Sequence, residues 1–249
     1  MPVSASLLAA SGALRVASLN LCTDEYLLLL ARPEEIASVS RLSHDPADSQ
    51  LAGRARRYPA NRGTIESALA HRPTMILTMG GGGRSTARLA SRLHLRTIDI
   101  AYPSTVADVE ATMLRVATAL GDPKRASGWR RRLARLRSNV PAARDALYLS
   151  AGGASLSPGS LGAEWMRLAG LEQRSVAGGR VSLETLALNP PKVLLRSNYR
   201  RSQPSLGQRW LEHPLVGRLK EKSVITDGRP WTCAGPLMLG EIQRLRDFK

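Results

Sequence analysis

Along the chain, short unbroken apolar runs alternate with stretches in which apolar residues recur every three or four positions. The first pattern reads as buried strands and the second as amphipathic helices. Arg15-Val-Ala-Ser-Leu-Asn20 is a short buried strand, residues 22–31 are a helix, and residues 36–40 are a second strand. Residues 41–63 are polar and rich in Arg, Pro and Gly, and are expected to be loop. A helix at 64–71, a strand at 74–79, a helix at 85–93 and a strand at 96–101 follow, with Gly80-Gly81-Gly82-Gly83 interrupting regular structure. Strands that alternate with helices predict a mostly parallel sheet covered on both faces.

Thr105 opens a longer helix, with Asp108 completing a capping box and Val106, Val109, Met113, Val116 and Leu120 forming one apolar stripe that Gly121 closes. Beyond it, Ala126, Trp129, Leu133, Leu136 and Val140 are again spaced by three and four. They predict a single long helix over 123–140, roughly 27 Å at 1.5 Å per residue, placed mid-chain as a spine between two lobes. The pattern then restarts. A strand at 146–150, a loop from Ala151 to Gly159, a helix at 161–169 stopped by Gly170, a helix at 182–188, strands at 192–196 and 224–226 and a closing helix at 237–246 are expected.

An internal repeat supports the two lobes. Residues 64–77, Thr-Ile-Glu-Ser-Ala-Leu-Ala-His-Arg-Pro-Thr-Met-Ile-Leu, align without a gap to residues 182–195, Ser-Leu-Glu-Thr-Leu-Ala-Leu-Asn-Pro-Pro-Lys-Val-Leu-Leu. Each unit is physically coherent. Thr64 and Ser182 suit a helix N-cap. Glu66 and Glu184 fall in the first turn, where the helix dipole favours a carboxylate. Pro73 and Pro191 end the helix before the strand. Helix-start chemistry accounts for either glutamate alone; their equivalent placement in two lobes points to a paired function.

Composition narrows the picture. No apolar run is long enough to span a membrane. The net charge is +16, and 31 of the 36 basic residues are Arg. Such a surplus attracts an acidic ligand, a membrane surface or nucleic acid, although a general bias toward Arg codons explains it equally well. The basic residues are scattered except around Arg54-Ala55-Arg56-Arg57 and from Arg130 to Arg137, and runs of this kind are usually solvated faces. Cys22 and Cys233 form no CxxC or zinc spacing. Near the start, residues 3–10 are small and apolar and Ser11-Gly12-Ala13 is similar to a cleavage site, but no basic segment precedes them, so the expected export signal is weak or truncated. Cys22 is not a lipoprotein cysteine, because bulky Leu21 precedes it.

Three segments carry a family resemblance: Arg-Val-Ala-Ser-Leu-Asn-Leu-Cys-Thr-Asp-Glu from Arg15, the Glu-x-x-x-Ala-x-x-Pro-x-x-Ile-Leu unit, and Pro230-Trp231-Thr232-Cys233-Ala234-Gly235-Pro236. In these the chain resembles the periplasmic substrate-binding proteins of ABC importers for ferric siderophores, haem and cobalamin, from about Arg15 to Leu245. The resemblance implies an α/β fold of two Rossmann-like lobes with mostly parallel sheets, at 14–121 and 141–249, joined by a linking helix at 122–140. It implies a monomeric, non-enzymatic periplasmic protein that uses no cofactor and hands a small metal chelate to an ABC importer permease. Glu66 and Glu184 match the family's permease-docking glutamates.

In parallel α/β lobes, ligands meet the loops after the carboxyl ends of strands. That rule selects Cys22, Thr23 and Asp24, then Ser43, His44 and Asp45, then Gly80, Gly81 and Arg84, and Tyr102. In the second lobe it selects Gly152, Gly153, Asn198, Tyr199, Arg200, Trp231 and Cys233. Arg84 and Arg200 suit an anionic group; Tyr102, Tyr199 and Trp231 suit a flat one. The glycine run lacks a following Gly-Lys-Ser/Thr and is not a phosphate loop; a turn, or close backbone approach to a ligand, is the better reading. A lone His44 is no metal site. Cys22 and Cys233 stand as isolated thiols, a cross-lobe disulfide or ligand contacts. Two other functions compete: a nucleic-acid-binding protein using the basic helix, which no recognition motif supports, and an α/β enzyme, for which no nucleophile–base pair or metal cluster stands out.

Overall fold

The structure, a computed structural model, describes residues 13–80, 84–219 and 223–247. The segment read as an export signal and the glycines at 81–83 lie outside the described residues. The first half contains β1 (Val16–Ser18), α1 (Leu21–Leu30), β2 (Ile36–Ser40), α2 (Ala52–Ala55), β3 (Ala60–Asn61), α3 (Ile65–Leu69), β4 (Met75–Met79), α4 (Arg84–Arg92) and β5 (Arg96–Ile100). Two helices follow, α5 (Val106–Ala119) and α6 (Ser127–Ser138). The second half contains β6 (Arg144–Leu149), α7 (Leu161–Leu168), β7 (Leu171–Gln173), α8 (Leu183–Leu188), β8 (Val193–Ser197), α9 (Leu206–Leu211), α10 (Pro214–Gly217), β9 (Ser223–Thr226), α11 (Gly228–Cys233) and α12 (Met238–Arg246).

The strands form two sheets, ordered β3-β2-β1-β4-β5 and β7-β6-β8-β9. Every strand pairing in both is parallel. The sheets share one plan: β7-β6-β8-β9 follows the order of β2-β1-β4-β5, and β3 is an addition to the first. The repeat read from the sequence is the α3–β4 unit and its counterpart α8–β8. Both caps form as expected, with the Thr64 hydroxyl accepting from Ser67 N at 3.3 Å and the Ser182 hydroxyl from Thr185 N at 3.1 Å.

Side chains alternate across each strand, so each sheet has two faces to cover. On one face of the first sheet, Ala17, Leu19 and Ile76 pack with Ile65 and Ala68 of α3 and Ala90 of α4. On the matching face of the second, Leu147, Leu149 and Leu194 pack with Leu186, Leu211 and Val216. The remaining faces belong to one continuous core that includes Val16, Leu28 and Met75 of the first half, Met113 and Leu133 of α5 and α6, and Tyr148, Trp165 and Ile242 of the second. The halves are therefore fused through apolar packing rather than hinged on a strand of chain.

Several specific bonds cross the same junction. Trp129 and Trp165 donate their indole N–H groups to the carbonyls of Pro236 and Ala234, at 2.9 and 2.8 Å. Glu164 of α7 accepts from Val106 N at 2.9 Å and so caps α5 from the other half. On the first half's side, Arg125 of the linking segment forks onto Glu35. Cys22 and Cys233 form a disulfide, with Cα atoms 5.4 Å apart, so of the three readings of these cysteines the cross-lobe disulfide is the one present.

Some expectations need correction. The stretch 41–63 is not all loop: it holds a 3-10 turn at Arg41–His44, α2 and the short edge strand β3. Residues 123–140 are not one uninterrupted helix. A 3-10 turn, Pro123–Ala126, capped by Asp122, runs into α6, which ends at Ser138. Pro141 disfavours helical backbone at Val140, which accounts for the early stop.

Candidate ligand cleft

The first sheet reverses direction of growth between β1 and β4, which makes the carboxyl ends of those strands a topological switch point. A groove of about 420 Å³ opens there, lined by Leu19, Asn20, Leu21 and Cys22 after β1, Thr78 and Met79 at the end of β4, Leu42 after β2, Tyr102 after β5 and Thr232 of α11. A second groove, of about 520 Å³, lies at the carboxyl ends of β8 and β9. Asn198, Tyr199, Arg200, Arg201 and Ser202 line it after β8, Asp227 and Arg229 after β9, and Pro46 and Ala47 come across from the first half. Both grooves therefore have walls from both halves. The first is mostly apolar; the second is rich in guanidinium groups.

Tyr102 is 72% exposed at the rim of the first groove. Gly80, at φ +72°, passes so close beneath it that an added Cβ would sit 2.4 Å from the phenol ring. Gly80 thus serves the turn after β4 and passes closely under Tyr102. Gly81 lies outside the described residues, and of Arg84 only the backbone is described, as the first residue of α4.

In the second groove, Arg200 forks onto Asp48 through Nε and Nη2, both at 2.8 Å, and the Tyr199 hydroxyl donates to the same carboxylate at 2.8 Å. Arg229 pairs with Asp227. Asn198 accepts from Gly228 N at 3.0 Å. Burial and the Asp48 carboxylate raise the Tyr199 hydroxyl above its ordinary range.

Thr23 and Asp24 are not at the cleft surface; both are buried. Thr23 completes the capping box of α1 with Asn20 and bonds Ser18 at 2.7 Å. Asp24 accepts from Ser40 N at 3.1 Å and from the Ser40 hydroxyl. Burial pushes its carboxyl up to about 7, against hydrogen bonds from Ser18, Ser40 and Ser43. The physical reason is geometric: α1 starts at Leu21, so residues three and four positions into it already point into the protein. His44 lines neither groove, and among the described residues no cluster of three metal-ligating side chains occurs. Trp231 also lines neither. It donates to Thr226 Oγ1 at 2.7 Å and packs on the Tyr148 ring at 4.8 Å between centroids. Cys22 reaches the first groove only as half of the disulfide.

Glu66 and Glu184 are exposed in the first turns of α3 and α8. The Glu184 carboxyl is held below its ordinary range by its own backbone N–H and the Ser182 hydroxyl.

Sequence reasoning missed Asp48, Gln50, Asp227 and Arg229. The strand-end rule reaches Asp227 and Arg229 once β9 is recognised. Asp48 lies in a polar loop with no periodic signal.

Two parallel sheets with one strand plan, joined through α5 and α6, decide the comparison with known structures. The chain has the fold of the two-lobed periplasmic binding proteins. It superimposes on the periplasmic heme-binding protein HutB of Vibrio cholerae with a TM-score of 0.72 and 16% identity, covering 94% of this chain and 98% of that one. The heme-binding protein RhuT from Roseiflexus sp. RS-1, in apo form, gives 0.68 and 19%, over 95% and 97%. The vitamin B12-binding protein BtuF of Vibrio cholerae gives 0.63 and 20%, over 94% and 95%. No family model and no curated protein sequence matches the chain.

Proposed function

We propose that this chain is an extracytoplasmic, non-enzymatic solute-binding protein that carries a metal chelate to an ABC importer. Its lobes, 14–121 and 141–249, are joined by 122–140, and it works in the periplasm as a monomer. The observation that carries the reading is the meeting of two sets of strand carboxyl ends across grooves walled by both lobes. Ligands of open parallel sheets bind at such ends, and grooves of this size suit a bulky organic ligand. The names of the similar structures, which bind heme and vitamin B12, agree with it.

Within this reading, Tyr102 and Tyr199 offer ring faces to a flat ligand, and Arg200 and Arg229 offer charge to an acidic one. That combination favours an iron chelate bearing anionic groups over a neutral cobalamin. Glu66 and Glu184 serve as matched docking points for the permease. The test is thermal unfolding with hemin, cyanocobalamin and a ferric hydroxamate siderophore in turn. A ligand at a hundred times its Kd stabilises by about 2.7 kcal/mol, so one of the three raises the melting temperature measurably. A flat response to all three would overturn the proposal.

A further inference from the structure

We infer that segment 45–51 is a polar latch across the cleft, with Asp48 as its gating residue, and that a ligand engages the second lobe only by displacing it. The inference rests on reading the cleft as the ligand site. The segment follows the 3-10 turn after β2 and is braced internally, with Ala47 N donating to Asp45 Oδ1 at 2.8 Å and Ser49 N to Asp45 O at 2.9 Å. From that base it makes four kinds of bond to the other lobe. Asp48 receives the Arg200 fork and the Tyr199 hydroxyl. Gln50 donates to Asp227 at 2.7 Å. Arg229 donates to the Pro46 carbonyl at 2.9 Å.

Those partners are most of the charged and aromatic groups that the second lobe presents at its strand ends, beside Asn198, Arg201 and Ser202. While the latch is closed, the Tyr199 hydroxyl, the Arg200 fork, Asp227 and one nitrogen of Arg229 are all engaged by it. The segment also borders the second groove and follows closely on a residue of the first. Leu42, just before it, lines the first, and Pro46 and Ala47 line the second.

The two sides of the lobe junction differ in kind. One is fixed by the disulfide and the continuous apolar core. The other is held by hydrogen bonds and one ion pair, which water or a ligand can replace in kind. Arg200 itself sits at φ +49°, a backbone region that a non-glycine residue adopts only under constraint and that is concentrated at functional positions.

The test uses the full chain, wild type beside Asp48→Asn and Arg200→Lys, each of which removes the charged fork by a different route. Amide hydrogen exchange reads the latch without a ligand. Exchange across 45–51 should quicken in both variants while β1 and α1 stay protected. Calorimetry with hemin, with cyanocobalamin and with a ferric hydroxamate siderophore reads the gate. Whichever probe the wild type binds should bind Asp48→Asn about tenfold more tightly, because the closed population no longer lowers the apparent affinity. Unchanged exchange in both variants, or equal or weaker binding to Asp48→Asn, overturns the latch. Faster exchange with none of the three probes bound by any form keeps the latch and sinks the metal-chelate reading.

Discussion

Reducing the disulfide gives a quantitative test of how the halves are held. Cys22 and Cys233 are 211 residues apart, so their bond closes most of the chain into one loop. A chain-entropy treatment of a loop that long sets a ceiling of about 5 kcal/mol, and native disulfides typically contribute about 2–4 kcal/mol. That contribution acts mainly on the unfolded chain. The folded halves remain joined by the shared core and by the indole bonds of Trp129 and Trp165. Reduced protein should therefore stay folded and bind its ligand, yet unfold at lower denaturant. Urea unfolding followed by tryptophan fluorescence measures this. With an m-value near the top of the usual range, about 3 kcal/mol/M, the midpoint should fall by roughly 1 M on reduction. Cys22→Ser/Cys233→Ser should match reduced wild type and ignore reductant. Two titratable thiols in unreduced native protein, or a midpoint unmoved by reductant, would refute the reasoning.

Other outcomes follow from single residues. The folded Asp24 carboxyl titrates at about 7 against 3.8 for the unfolded residue. The folded state thus binds the extra proton between those values, so this contribution is present below pH 3.8 and lost as pH rises toward 7. It amounts to roughly 4 kcal/mol over that window. Asp24→Asn should flatten the decline in a pH series of unfolding midpoints while its amide oxygen still accepts from Ser40 N. Gly80→Ala puts a side chain at a positive φ and against the Tyr102 ring, so it should lower the melting temperature, by about 1 kcal/mol or more of stability, and weaken ligand binding, as read by thermal unfolding beside calorimetry. Trp165→Ala, which empties a fully buried site, should cost about 3–5 kcal/mol in urea unfolding. Replacing Glu66 and Glu184 together by Arg should abolish uptake in cells that carry the cognate permease while leaving ligand affinity intact.

Much of this architecture is legible in the sequence because its signals are local. The apolar stripe of α5, the capping box at Thr105, the N-cap at Ser182 and the repeat at Glu66 and Glu184 each rest on neighbours within a turn or two. What was not legible depends on distant partners. The short strand β7 gains its pairing from β6, not from its own three residues. Thr23 and Asp24 obey the strand-end rule by position, but the exact start of α1 turns them inward, and boundaries are where sequence patterns are weakest. Asp48 acquires its role only because Arg200, far along the chain, arrives beside it. The arginine surplus was ambiguous for the same reason. Part of it has a structural use: Arg246 donates to the carbonyls of Leu168 and Leu136 at two helix ends, and Arg15 to those of His71 and Arg72.

The apolar core that runs unbroken through both lobes also limits what this protein can communicate. A binding protein with separate cores reports its cargo by the angle between its domains. Here such a bend would have to tear Leu133, Met113 and Trp165 from their common packing, and packed interiors resist graded deformation. Melting should accordingly be a single calorimetric transition rather than two. If the proposed function holds, a transporter that distinguishes loaded from empty must sense the rim itself, and loops such as 45–51 would carry the coupling free energy between cargo and partner.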